Sequence, residues 1–299
     1  MLTPVQKHWN PAGPPPLGIF YKRDDMFCPY GDVNGGKVRQ TRLLFSKYAY
    51  PPGGWRGVVA AVSVHSPTGP VISRVAKSYG IPCIIAVGGT TPENLDKLPM
   101  MKLSKYLGAE VRIVAGHGMK NAITARVNEI CKETGYHNID FSHHIYNDAD
   151  LMFNTNGDQV ENIPDVLDVL VMSVGVGIQF ACVLKGLKKF NKKVKRIIGV
   201  QIGPDRRKLI DHYLNQNPLE ETPFDLEYEL VQYKSAYSKS EIVKINAEKM
   251  EDDFYLDDIY EAKAHKWMMR NVDMKQRILF WCVGRRLTSD EVESICSRG

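Results

Sequence analysis

The feature that most constrains this chain is an alternation. From Gly57 to Thr134, short apolar, β-branched runs change places with helix-length stretches, and the same rhythm resumes from Asp165 to Ile202. Strands are predicted at 57–62, 81–87, 110–114, 165–172, 196–202 and 277–283, and helices at 38–48, 68–80, 94–108, 119–134, 178–190 and 257–269. Short buried strands between helices of that length imply parallel βαβ units. The predicted fold class is therefore α/β, with two open parallel-sheet domains and flanking helices.

Proline and glycine mark the breaks in that rhythm. Pro4, Pro11, Pro14, Pro15 and Pro16 exclude regular helix from the first twenty residues and favour an extended arm, followed by a short strand at Ile19–Tyr21. Pro51-Pro52-Gly53-Gly54 is the first domain boundary, and the polar stretch 136–160 reads as loop. The expected arrangement is a large domain from 1–50 and 151–299 with a small α/β domain from 51–150. Residues 214–255 have no clean period and are assigned to no element.

A chain of 299 residues with 43% hydrophobic and 24% charged residues has the composition of a globular enzyme with ample core. The net charge of +5 permits an anionic ligand and does not by itself argue for nucleic acid. Six cysteines without a Cys-x-x-Cys pair, most in apolar runs, fit buried free thiols in a reducing compartment. No apolar stretch reaches the length of a membrane span, and Met1-Leu2-Thr3-Pro4 lacks signal-peptide features, so a cytoplasmic location without membrane association is expected.

Three motifs carry chemistry. Gly31-x-x-x-x-Gly36-Lys37 matches most of a nucleotide phosphate loop, but Val38 stands where that loop needs Ser or Thr, and no strand precedes Gly31. Lys37 can be a point charge, a Schiff-base amine, or a surface lysine after a glycine turn. Ser63-Val64-His65-Ser66-Pro67-Thr68-Gly69, between strand and helix, suits a carboxylate, and equally suits N-capping by Ser66 or Thr68. Val174-Gly175-Val176-Gly177 opens another helix and suits a phosphate; Phe180 at the third glycine position departs from the dinucleotide fingerprint. His143-His144 lacks a partner at helical ligand spacing and reads as a surface loop pair. His65-Ser66 lacks a nucleophile elbow.

In this order, the motifs resemble the pyridoxal-phosphate enzymes of fold type II, the tryptophan synthase β superfamily. The branch they are most similar to contains 1-aminocyclopropane-1-carboxylate deaminase and D-cysteine desulfhydrase. Thr3-Pro4-Val5 with Phe20-Tyr21-Lys22-Arg23-Asp24-Asp25 is similar to the branch's opening, and Gly36-Lys37-Val38-Arg39 to its cofactor-lysine motif, Asn-Lys-x-Arg-Lys. Val62–Gly69 sits where the family carries its Gln-Ser-Asn loop, and Val174–Leu187 resembles the phosphate loop and its helix. Leu256–Ala264 resembles Asp-Pro-x-Tyr-(Glu/Thr)-Gly-Lys, and Leu279–Gly284 the last core strand.

The resemblance implies pyridoxal 5'-phosphate carried by Lys37, which then serves as acid and base. It implies catalytic roles for Tyr260, Ser66 and Tyr237, with Ser66 on the substrate carboxylate. Gly175, Val176, Gly177, Ile178 and Gln179 would hold the cofactor phosphate. Glu261 would face the pyridine nitrogen and keep it protonated, strengthening the electron sink; its other reading is a solvated helix residue among the acids 251–258. No metal is implied.

The departures fall mainly on the substrate side: Pro67 for asparagine, Ile178-Gln179 for Gly-Thr, Gln40 for lysine, and Arg285-Arg286-Leu287 after Gly284. The first functional expectation is a deaminase or lyase acting on a small amino-acid-like substrate, in a homodimer. A second is a decarboxylase or lyase acting on an amino-acyl-modified nucleotide or DNA base. Its motive is the basic run Lys185, Lys188, Lys189, Lys192, Lys193, Lys195, Arg196, whose other reading is a solvated helix end. A third is a non-catalytic fold relative acting as a binding module.

Overall fold

The computed structural model describes residues 1–8, 18–50, 53–118, 120–141, 144, 147–215, 225–234, 239–245 and 253–298. The chain divides into two compact units, Met1–Phe27 with Ile145–Arg285, and Cys28–His144 with Arg286–Gly299.

The first unit is built on a six-stranded sheet in the order Val5–His8, Ile19–Arg23, Ile278–Cys282, Val166–Val174, Lys193–Gln201, Glu229–Gln232. Only the Val5–His8 pairing is antiparallel. The proline-rich arm thus begins as an edge strand. Val169, Leu170, Val171, Ile278, Leu279 and Phe280 are wholly buried, because a parallel sheet is covered on both faces and its central strands read as unbroken apolar runs. Lys22 is buried too; its Nζ donates to the Thr3 carbonyl and to Asn162 Oδ1, both at 2.6 Å.

The second unit carries a four-stranded parallel sheet, Glu110–Ala115, Cys83–Gly88, Val58–Ala61, His137–Asn138. Helix Thr68–Ser78 follows the central strand and packs close to helix Pro99–Tyr106: a Cβ on Gly69 would lie 3.1 Å from Ser104 Oγ.

Several expectations need correction. The stretch 28–50 and the residues after 285 lie with the smaller unit, not with the larger domain expected to run over 1–50 and 151–299. Helix Gly36–Tyr48 buries Leu44 and Phe45 there, with Phe45 edge-on to Trp55 at 5.2 Å, and Glu293 of the last helix pairs with Lys102 at 2.5 Å. The predicted loop 136–160 contains helix Ala149–Gly157. Its Asn- and Gly-rich sequence has poor helix propensity, but Gly157 meets Gly186 of helix Ile178–Lys189 so closely that a Cβ on Gly186 would lie 2.3 Å from the Gly157 carbonyl oxygen. Tertiary packing decides the matter. The single helix predicted at 94–108 is two, Pro92–Leu95 and Pro99–Tyr106, because the second proline restarts the chain. The unassigned stretch 214–255 holds strands Glu229–Gln232, Lys244–Ile245 and Phe254–Tyr255.

His144 is buried, not a surface residue, 3.5 Å from His137, whose ring stacks on Trp55 at 4.5 Å. His143 lies outside the described residues. Among the described residues no cluster of three or more His, Cys, Asp or Glu could hold a metal, and no helix is long and apolar enough to cross a membrane. Cys83, Cys182 and Cys282 are buried free thiols, whereas Cys28 is exposed.

Candidate functional site

The two units each hold a cluster of candidate residues. In the smaller, Gly36-Lys37 opens helix Gly36–Tyr48, and no strand precedes it, so the lysine does not sit in a strand–loop–helix nucleotide site. Gly35 caps this helix with a φ of 92°, a left-handed value suited to glycine. Lys37 is half-buried, and its Nζ donates to Thr68 Oγ1 at 2.7 Å. The Thr68 amide donates in turn to Ser66 Oγ at 3.2 Å. Lys37, Thr68 and Ser66 therefore form one chain of hydrogen bonds, and the expected lysine and the serine loop come together. Pro67 occupies the N-cap of helix Thr68–Ser78 in helical conformation, so Ser66 bonds to a backbone amide from one position earlier. Arg286 reaches this loop as well, its Nη1 donating to the His65 carbonyl at 3.4 Å. From the sequence alone Thr68 reads only as a cap. The signal for more is its place in the first turn of a helix beside the serine loop.

In the larger unit, strand Val166–Val174 ends in the loop Val174–Gly177, which opens helix Ile178–Lys189. Gly177 has φ 97° and ψ −14°, and a Cβ there would lie 2.6 Å from Ile210 Cγ1. Backbone conformation and space both require glycine. A Cβ on Gly175 would lie 2.9 Å from Tyr260 Cε1, so the ring of Tyr260 lies against the loop. No side chain caps the helix, and its first N–H groups have no intrahelical acceptor. Gln179 Nε2 is shut off from solvent with no hydrogen-bond partner among the described residues. Uncapped amides, two glycines without room for a Cβ and an orphaned amide donor make a donor set that fits a phosphate. Val176 points outward, 45% exposed, and Ile178 is buried.

Glu261 begins helix Glu261–Asn271 and is 2% exposed, which removes the solvated-residue reading. Its Oε1 accepts from the amides of Val283 at 2.6 Å and Gly284 at 3.0 Å, and its Oε2 from the amide of Asp257 at 3.1 Å. Burial, reinforced by the charges of Asp257 and Asp25, pushes its carboxyl up to about 8, against the pull of the backbone donors. Such a group is ready to take a cationic partner, which would restore its ionised form. Asp257 Oδ1 accepts from the amides of Ile259 and Tyr260, which fixes the turn that presents Tyr260 and Glu261. Tyr237 lies outside the described residues.

Residues 2–228 match a family model described as "Pyridoxal-phosphate dependent enzyme". The chain is 26% identical over 212 residues to the O-seryl-dTMP PLP-dependent decarboxylase of Salmonella phage ViI, covering 66% of this chain and 50% of that protein. It thus spans about half the length of this curated relative. Among solved structures, it superposes on an ACC deaminase homologue with a TM-score of 0.69 at 18% identity, covering 95% of this chain and 89% of the other. It superposes on apo diaminopropionate ammonia lyase of Escherichia coli with a TM-score of 0.60 at 12% identity, covering 94% and 82%. These likenesses establish the fold.

Proposed function

The chain belongs to the family of pyridoxal-phosphate dependent enzymes, and from that premise we propose that it removes carbon dioxide from an amino acid carried on a nucleotide. Support for the substrate comes from the phage relative's activity on O-seryl-dTMP, and from Arg286 on the serine loop, where a cation suits an anionic substrate larger than a free amino acid. The observation that carries amine chemistry at the amino-bearing carbon is the Lys37–Thr68–Ser66 chain, and the relative's decarboxylase activity supports loss of carbon dioxide there. The bound cofactor supplies the electron sink for the bond broken at the amino-bearing carbon.

The chain's own residues do the rest. Lys37 provides the amine that holds the cofactor. Its Nζ, within reach of the amino-bearing carbon, would supply the proton that replaces the carboxylate lost as carbon dioxide, so that a carbon–hydrogen bond takes the place of a carbon–carbon bond. Thr68, by accepting from Nζ, keeps the amine in one rotamer. The Ser66 hydroxyl retains its proton as a donor for the substrate carboxylate. The glycine loop and Gln179 would seat the phosphate, and Glu261 would provide the counter-charge for a protonated ring nitrogen.

A second reading, deamination or elimination on a small free amino acid, is supported by Glu261, since a buried carboxylate that would pair with the ring nitrogen suits difficult carbanions. The two readings differ in product. Incubation of the loaded enzyme with a seryl-nucleotide labelled at the carboxyl carbon is expected to release labelled carbon dioxide and no ammonia. Ammonia and a keto acid from free amino acids, with no labelled gas, would replace the first reading by the second. The basic run 185–196 lends no support to a polymeric substrate. Lys188, Lys189, Lys192, Lys195 and Arg196 pair with Asp225, Asp158, Asp165, Asp168 and Glu229, all within 3.1 Å. A cytoplasmic homodimer completes the proposal.

A further inference from the structure

Arg206 figures in none of the motifs above, yet it touches the glycine loop. Its Nε donates to the Gly175 carbonyl at 3.1 Å, and its backbone amide donates to Gln201 Oε1 at 2.6 Å. Gln201 is buried and ends the strand paired with Val174, so the residue that fixes Arg206 is itself in register with the start of the loop. The helix that follows, Arg207–Leu214, places Ile210 against Gly177. Backbone anchor, guanidinium and helix thus meet the loop at both of its glycines.

What remains of the guanidinium is the informative part. Arg206 is half-buried, and among the described residues nothing accepts from its two terminal nitrogens and no carboxylate pairs with it. A guanidinium held by one nitrogen keeps a two-pronged donor for an anion. The orphaned Gln179 amide lies in the first turn of the helix that the same loop opens. Ile178-Gln179 stands where the family's loop has Gly-Thr, so a hydroxyl donor is missing there, and these two side chains supply donors of another kind.

We propose that Arg206 and Gln179 form a charged phosphate-monoester seat on the loop Gly175–Gly177. The phosphate is that of the cofactor or the 5'-phosphate of a nucleotide substrate. The chemistry is shared, and the inference rests on the cofactor assignment made above.

The test is equilibrium binding to the full-length protein, with pyridoxal phosphate titrated against pyridoxal and thymidine monophosphate against thymidine, in wild type, Arg206→Gln and Arg206→Lys. The measure is the preference for the phosphorylated member of each pair. Arg206→Gln is expected to reduce that preference roughly ten- to hundred-fold in one pair, as for loss of a charge-assisted hydrogen bond, and Arg206→Lys to restore part of it. Loss in the cofactor pair assigns the seat to the cofactor, and loss in the nucleotide pair to the substrate. Folding is followed by the melting temperature; if Arg206→Gln does not fold, Arg206→Lys and Gln179→Leu carry the same comparison. Unchanged preference in both pairs overturns the proposal. A wild-type protein that binds pyridoxal phosphate without any preference over pyridoxal also overturns it while leaving the family assignment intact; one that binds neither overturns both.

Discussion

The basic run 185–196 and the loop 174–177 with Arg206 are opposite lessons in positive charge. The run is dense in lysine, and five of its cations each hold an acid within 3.1 Å on a largely exposed face. The loop is met by Arg206, whose terminal nitrogens have no acceptor among the described residues. In sequence the run stands out and Arg206 does not. The quantity that matters for an anion is the donor left over after folding, and that depends on contacts the sequence does not display. Lys37, in the smaller unit, donates to the Thr68 hydroxyl of that same unit, another contact that the sequence does not display.

The largest expected effect tests that contrast on the acting side. Lys37→Ala should abolish the visible absorption of the loaded protein and cut turnover by at least ~10³-fold, since both the attachment and the proton donor are lost. Retention of either would remove Lys37 from its proposed role. Gly177→Ala comes next, at about 3 kcal/mol of stability from left-handed strain plus overlap with Ile210. Thermal or denaturant melts check it, and a near-neutral result would mean that the loop adapts more readily than its contacts imply.

Glu261 gives a pH signature. Its folded carboxyl is raised from 4.5 to about 8, so between those values the unfolded state has lost a proton that the folded state keeps. Stability of the cofactor-free protein should therefore fall as pH rises through that window, by at most ~1.4 kcal/mol per pH unit. Glu261→Gln should flatten the slope; an unchanged slope would place its origin elsewhere. His265 works on the acid side. Burial lowers it from 6.5 to about 4, and a buried neutral imidazole makes stability fall as pH drops between those values. The smallest effect is expected on the paired face. Lys189→Gln and Lys195→Gln should each change stability by less than ~0.5 kcal/mol and leave phosphate preference untouched. A large loss of affinity for anions would break the contrast from the other side.

Much of the fold could be read in the sequence because parallel strands covered on both faces have little choice of residue. Val166–Val174 and Ile278–Cys282 fall within two residues of their predicted bounds. The helix Ala149–Gly157 could not be read, since a close glycine–glycine approach makes it, and propensity argues against it. Of the candidate residues, Lys37 and Ser66 in the smaller unit and Gly175, Gly177 and Glu261 in the larger each lie in a local motif. Thr68 and Arg206 stand out only through hydrogen-bond partners 31 residues away in each case, which periodicity does not register.

The order of strands in the larger sheet has a consequence for how the molecule is made. Ile19–Arg23 lies between Val5–His8 and Ile278–Cys282, and it reaches the rest of the sheet only through the latter. During synthesis, the hairpin formed with Val5–His8 has to wait, its other edge unpaired, while the whole βαβ series of the smaller unit emerges and has time to fold. Closure of the larger sheet is thus a late, long-range event, governed by loop entropy. A nascent chain arrested before residue 278 would expose the sheet edge that a chaperone or another copy of the chain would find first.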